Sequence, residues 1–174
     1  MTDLIEVLVT DHRRIESLFT ELETGDSDPA HRRDLVDVIV AEVVRHAVAE
    51  ELYLYPAVRD LLPDGDALAD RGLRQHADVE RALDAVQDTD LTAVIVAVRA
   101  HVDEQERDLF PRVRHACPPD RLADLGSRAE AAKRIAPTRP HPHVPGTRLG
   151  AAGSGLVDRV RDALANRPTK VSDL

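Results

Sequence analysis

Residues 46–56 read HAVAEELYLYP and residues 101–111 read HVDEQERDLFP, and the two stretches align without a gap as H-x4-E-x2-L-[YF]-P. A histidine followed by acidic residues and a closing aromatic-proline pair, written twice in one chain, is an internal repeat rather than a chance motif. Each copy sits in a longer stripe of three- and four-residue spacing. Around the first, Leu35, Ile39, Val43, His46, Glu50, Tyr53 and Ala57 predict a helix over 29–62, with Asp28 as its cap and Pro29 in its first turn. Around the second, Leu91, Val94, Ile95, Val98, His101, Glu106, Leu109 and Val113 predict a helix that stops near Cys117-Pro118-Pro119.

The remaining stripes have the same character. Leu4, Leu8, His12, Ile15, Phe19 and Leu22 predict a helix over 3–24 that ends at Gly25. Leu73, His76, Glu80 and Leu83 predict another over 66–87, interrupted only by Gly72. His12-Arg-Arg-Ile-Glu16 is similar to His76-Ala-Asp-Val-Glu80, so the chain reads as two related helix hairpins. No segment alternates as a strand would. The expected fold is all-α, an up-down-up-down four-helix bundle with a short C-terminal helical extension. A short fifth helix over 120–136 completes a bundle domain of residues 1–136. The stretch 137–153, rich in proline and glycine, reads as a linker, and 154–174 as an amphipathic helix and tail with Leu156, Val157, Val160 and Leu164 on one face.

Composition narrows the function. The 174 residues carry 32 acidic against 23 basic side chains, a formal charge of -9, which would repel nucleic acid. One cysteine, Cys117, allows no internal disulfide, and the N-terminus lacks the features of a signal peptide. No run approaches the roughly 20 apolar residues that span a bilayer. A cytoplasmic protein without nucleic-acid or membrane partners is expected. With four aromatic residues in all (Phe19, Tyr53, Tyr55, Phe110), there is little from which to build a haem pocket.

The chemistry lies in the histidines. His12, His46, His76 and His101 stand one per helix in the middle of the apolar faces. Glu50 follows His46 by four residues, Glu80 follows His76 by four, and Glu106 follows His101 by five. Residues at i and i+4 project to one side of a helix, so carboxylates accompany imidazoles into the core. Buried carboxylates cost several kcal/mol each unless paired, and no lysine or arginine stands on these stripes. Metal cations would compensate them. Seven candidate ligands are too many and too rich in oxygen for one structural zinc, and imply two metals about 3.5–4 Å apart that share a small oxygen species. Tyr53, three residues beyond Glu50, is a candidate ligand or proton donor, whereas Tyr55 is expected to pack elsewhere. Glu16 reads as solvated or as a partner of an imidazole, His31 and His115 as surface residues, and His141 and His143 as linker.

On the Asp11-His12 opening, the His46 to Pro56 run, His76, and the His101 to Pro111 run, the sequence resembles the hemerythrin HHE cation-binding family over residues 3–115. The resemblance implies iron ligands at His12, His46, His76 and His101, with Glu50 and Glu106 bridging two irons through an oxo- or hydroxo-bridged centre that manganese or zinc could substitute. Glu80 stands where oxygen carriers of the family have a second histidine, and an added carboxylate hardens the site. Peroxide decomposition is therefore expected ahead of dioxygen or nitric oxide binding. A non-enzymatic oxygen, iron or redox sensor, signalling through contacts of residues 154–167 with a protein partner or a second copy, is the alternative.

Overall fold

In a computed structural model of the chain, residues 2–25, 28–86, 89–139 and 167–174 are described. Among them there is no strand. Helix α1 (Leu4–Thr24) opens with a capping box in which Asp3 and Glu6 each bind the other's backbone N–H, and Gly25 caps its end in an extended conformation. Helix α2 (Pro29–Ala49) starts at Asp28, whose side chain accepts from the Ala30 N–H, with Pro29 in the first turn. It runs without a break through a π-turn, π1 (Glu50–Leu54), into α3 (Tyr55–Leu61). Helix α4 (Gly65–Asp84) follows. Then α5 (Thr92–Glu104), a second π-turn π2 (Gln105–Leu109) and α6 (Phe110–Ala116) repeat the arrangement of α2, π1 and α3. Helix α7 (Pro119–Ile135) packs on α1 and α2, and a 3-10 turn (Val171–Asp173) closes the described residues. The linker expected over 137–153 and the helix expected over 154–167 lie outside the described residues except at their ends.

The two π-turns come from the repeated prolines. Pro56 and Pro111 lack an N–H, and a proline ring inside an α-helix collides with the carbonyl four residues back. A turn widened by one residue moves that carbonyl aside. In both copies the backbone N–H just before the proline bonds five residues back, Tyr55 to Glu50 and Phe110 to Gln105.

Among the described residues the core has two apolar clusters. One gathers Leu4, Leu8, Leu54, Val58, Phe110, Val113 and Leu122. The other gathers Ile15, Phe19, Leu22, Leu35, Ile39, Leu83, Leu91 and Val94. Helix α1 leads from the first cluster to the second, residues 29–61 lead back, α4 leads out again and residues 92–116 return. Between the clusters each of these four segments places one buried histidine, with Asp11, Glu50 and Gln105 beside them. A polar belt inside an apolar bundle costs stability unless every group is satisfied, so its hydrogen bonds decide what the belt is for.

Candidate metal centre

The four histidines point the same way. Nδ1 of His12 donates to Glu106 Oε1 at 2.8 Å, that of His46 to Asp11 Oδ2 at 3.4 Å, that of His76 to Glu51 Oε1 at 3.0 Å and that of His101 to Gln75 Oε1 at 2.8 Å. Every acceptor is a carboxylate or amide oxygen, so each Nδ1 must carry the proton. Each Nε2 is thereby turned inward, as in metal-binding histidines held by an outer carboxylate or carbonyl. Nε2 of His12 and of His46 face each other at 3.1 Å.

Glu50 stands at the middle and is fully buried. Its Oε1 lies 3.5 Å from His46 Nε2, and its Oε2 lies 2.9 Å from His76 Nε2 and 3.4 Å from His101 Nε2. Two trios result, His12-His46-Glu50 and Glu50-His76-His101, each with ligand atoms within 4.8 Å of one another and with Glu50 common to both. Gln105 Nε2 donates to Glu50 Oε1 at 2.7 Å, while Gln105 Oε1 is buried without a hydrogen-bond partner among the described residues.

The electrostatics follow from this packing. Burial opposes charge on His12, and the neighbouring His46 adds to that, so its pKa falls to about 4. Burial also opposes charge on His76, but hydrogen bonds to Glu50 and Glu51 prevail and raise it to about 9. Burial alone would raise the Glu50 carboxyl, yet the imidazoles of His46, His101 and His76 hold it well below the usual carboxylate range. The His12 and His46 Nε2 atoms stand 3.1 Å apart beside the Glu50 carboxylate, on rings each anchored through Nδ1, an arrangement that two ligands of one cation would share. The donor set of four imidazoles around one anionic carboxylate therefore fits metal cations.

The other predicted residues stand around this centre. Glu106 belongs to neither trio: its side chain is 24% exposed and binds Arg13 as well as His12 Nδ1. Glu80 lines a small cavity of about 30 Å³ beside the four histidines, walled by Ile15, Val43, Val79, Leu83 and Val98. Glu16 is paired with Arg99. The tyrosines are exchanged relative to expectation. Tyr53 is partly buried against the first apolar cluster, and Tyr55 reaches the centre, with its Oη 3.1 Å from His76 Nε2 and 3.5 Å from Glu50 Oε2. The cause is π1, which adds a residue to the turn after Glu50 and brings i+5 where i+3 or i+4 would stand. Gly72, the interruption in that apolar stripe, makes room for that ring: a Cβ there would lie 2.4 Å from Tyr55 Oη.

Sequence reasoning missed Asp11, Glu51, Gln75 and Gln105 as partners within the centre. Asp11 and Gln75 each precede a site histidine, and Glu51 aligns with Glu106, so the repeat itself carried the signal. It also missed a cation. Lys133 of α7 binds Asp11, from outside the four histidine stripes.

No helix among the described residues is long and apolar enough to cross a membrane. Comparison with solved structures finds no match. A hemerythrin-like protein of Schizosaccharomyces pombe is 25% identical over 183 residues, covering 97% of this chain and 89% of its own length. A Nostoc protein named DNA nickase is 27% identical over 139 residues, covering 74% of this chain and 38% of its own. The family model for the hemerythrin HHE cation-binding domain matches residues 3–113, a span that contains all four inward-facing imidazoles and Glu50; the chain belongs to that family.

Proposed function

We propose that the protein is an up-down-up-down four-helix bundle that holds two iron ions between its helices and acts on a small oxygen species. The observation that carries this reading is the shared orientation of the histidines, each Nδ1 fixed outward and each Nε2 turned toward Glu50. His12 and His46 hold one ion, His76 and His101 the other, and Glu50 serves both. Glu80 is a further carboxylate beside the belt, and Glu106, held by Arg13, supports His12 through its Nδ1. Bound iron supplies Lewis acidity and electrons to hydrogen peroxide, dioxygen or nitric oxide. The chain excludes bulk: the cavity beside the imidazoles, about 30 Å³ and walled by valines, leucine and isoleucine, admits a species of a few atoms and no large organic substrate. Tyr55 Oη holds a proton next to His76 and Glu50, where burial, Glu50 and Glu51 keep the phenol far from ionising.

Elemental analysis of protein purified without chelator or nickel tests the reading, and about two irons per chain is the expected result. Hydrogen peroxide consumption by the loaded protein, lost in His46→Ala, is expected next, ahead of reversible dioxygen or nitric oxide binding. Mainly zinc, or no metal in a folded protein, overturns it.

A second reading, a non-enzymatic sensor, draws on the C-terminal segment. The Arg167 side chain is 8% exposed and binds Asp37 Oδ1 at 2.7 Å, and Arg45 donates to the Thr169 carbonyl at 2.6 Å, so residues 167–169 lie against α2, the helix that carries His46. Metal-dependent proteolytic release of this segment without peroxide turnover would favour that reading over the first.

A further inference from the structure

Helix α7 is joined to the centre by a charge that its packing does not explain. Leu122, Gly126, Ala129 and Lys133 recur at four-, three- and four-residue steps and form one face. The first three meet the bundle closely: Leu122 and Ala129 are buried, and a Cβ on Gly126 would lie 2.6 Å from the Thr2 carbonyl oxygen. Lys133 continues that face inward and is only 16% exposed. A lysine in this place costs desolvation unless its ammonium is paired. It is paired with Asp11 Oδ1, while the other oxygen of Asp11 accepts from His46 Nδ1.

The matching place in the other half of the repeat needs no such cation. There Gln75, which precedes His76 as Asp11 precedes His12, accepts from His101 Nδ1 through a neutral amide, and its Nε2 donates to Glu104 at 2.9 Å. A carboxylate 3% exposed is a buried anion, and a neutral amide is not. Lys133 holds Oδ1 of Asp11, which leaves Oδ2 to face the His46 imidazole.

Resting on the reading of a two-metal centre, we propose that Lys133 is a positioning residue for its His12–His46 side: by clamping Asp11 it sets the orientation and donor strength of His46 Nε2, so that the fifth helix belongs to the metal centre. The Lys133–Asp11–His46 chain carries this, and the Gln75–His101 pair serves as the internal control.

The test is stepwise titration of the metal-free full-length protein with cobalt(II) against a competing chelator, followed by the visible spectrum of each step. Wild type is expected to bind two cobalt ions. Lys133→Met is expected to weaken one step by about 10–100-fold, the range for loss of an outer-shell partner, and to leave the other step unchanged. In an Asp11→Asn background the same substitution is expected to cost nothing further, because its partner charge is gone. Should Lys133→Met fail to fold, Asp11→Asn, which puts a neutral amide in place of the carboxylate, is expected to weaken the same step by itself. Wild-type constants in Lys133→Met, equal weakening of both steps, or an undiminished effect in the Asp11→Asn background overturns the proposal. A wild type that binds no cobalt overturns the two-metal reading beneath it, and the proposal with it.

Discussion

The two halves of the polar belt use the same backbone and different outer chemistry. On the His12–His46 side the supports are two carboxylates, Asp11 and Glu106, and each is clamped by a cation, Lys133 and Arg13. On the His76–His101 side the supports are one carboxylate, Glu51, and one amide, Gln75. The aromatic that closes each π-turn differs as well. Phe110 stacks on His12 at 5.5 Å between ring centroids, whereas Tyr55 brings a hydroxyl to His76. Glu50 itself aligns with Gln105, so the carboxylate common to both trios comes from one half and serves both. A repeated hairpin thus supplies symmetric positions, and single-residue differences make the two sides chemically unequal.

Removing the shared residue should have the largest effect. Glu50→Ala is expected to abolish binding on both sides, a loss larger than the roughly 10–100-fold that an outer partner is worth. His12→Ala and His101→Ala should each leave the opposite trio intact. Metal per chain by elemental analysis reads all three, and equal losses in the two histidine variants would break the division into sides.

Proton linkage gives the next effect and separates the sides in the metal-free protein. Only the folded chain holds the His76 proton between the unfolded value of 6.5 and about 9. That contribution to stability is full below pH 6.5 and disappears as pH rises to about 9. Only the unfolded chain protonates His12 between 6.5 and about 4, so stability also falls as pH drops through that window. Each arm is of order 3 kcal/mol, and urea denaturation of metal-free protein should peak near neutrality. His76→Gln should remove the alkaline arm alone.

Two smaller changes sharpen the comparison at Tyr55. Gly72→Ala forces a Cβ into the Tyr55 ring and is expected to destabilise by about 1–3 kcal/mol, with the shift seen in thermal unfolding. Tyr55→Phe makes that side resemble the Phe110 side, and should cost about 1 kcal/mol through the lost hydrogen bond. In cobalt titrations it should alter the His76–His101 step, while Tyr53→Phe leaves both steps as they were.

How much was legible follows from the range of each signal. Helix positions, the Asp28 cap with Pro29 in the first turn, and the four histidines depend on spacing within one helix, and spacing is written in sequence. The rest depends on turns that break the spacing and on partners far along the chain. The proline repeat was visible, yet the widened turns it forces were not anticipated, so Tyr53 was favoured over Tyr55. Glu106 was placed among the ligands by its offset, and the fold turns it to Arg13 and to the outer nitrogen of His12.

Sequence by itself determined an all-helical chain with one imidazole in the middle of each of four apolar faces, because period and composition act locally. Only the tertiary structure decided which nitrogen of each imidazole faces inward, that Glu50 lies between both trios, and that Lys133 reaches Asp11 from a fifth helix. Apart from His46 and Glu50, one turn apart on the same helix, those are relations between residues 25 to 122 positions apart, set by how helices pack and by the need to satisfy every buried polar group.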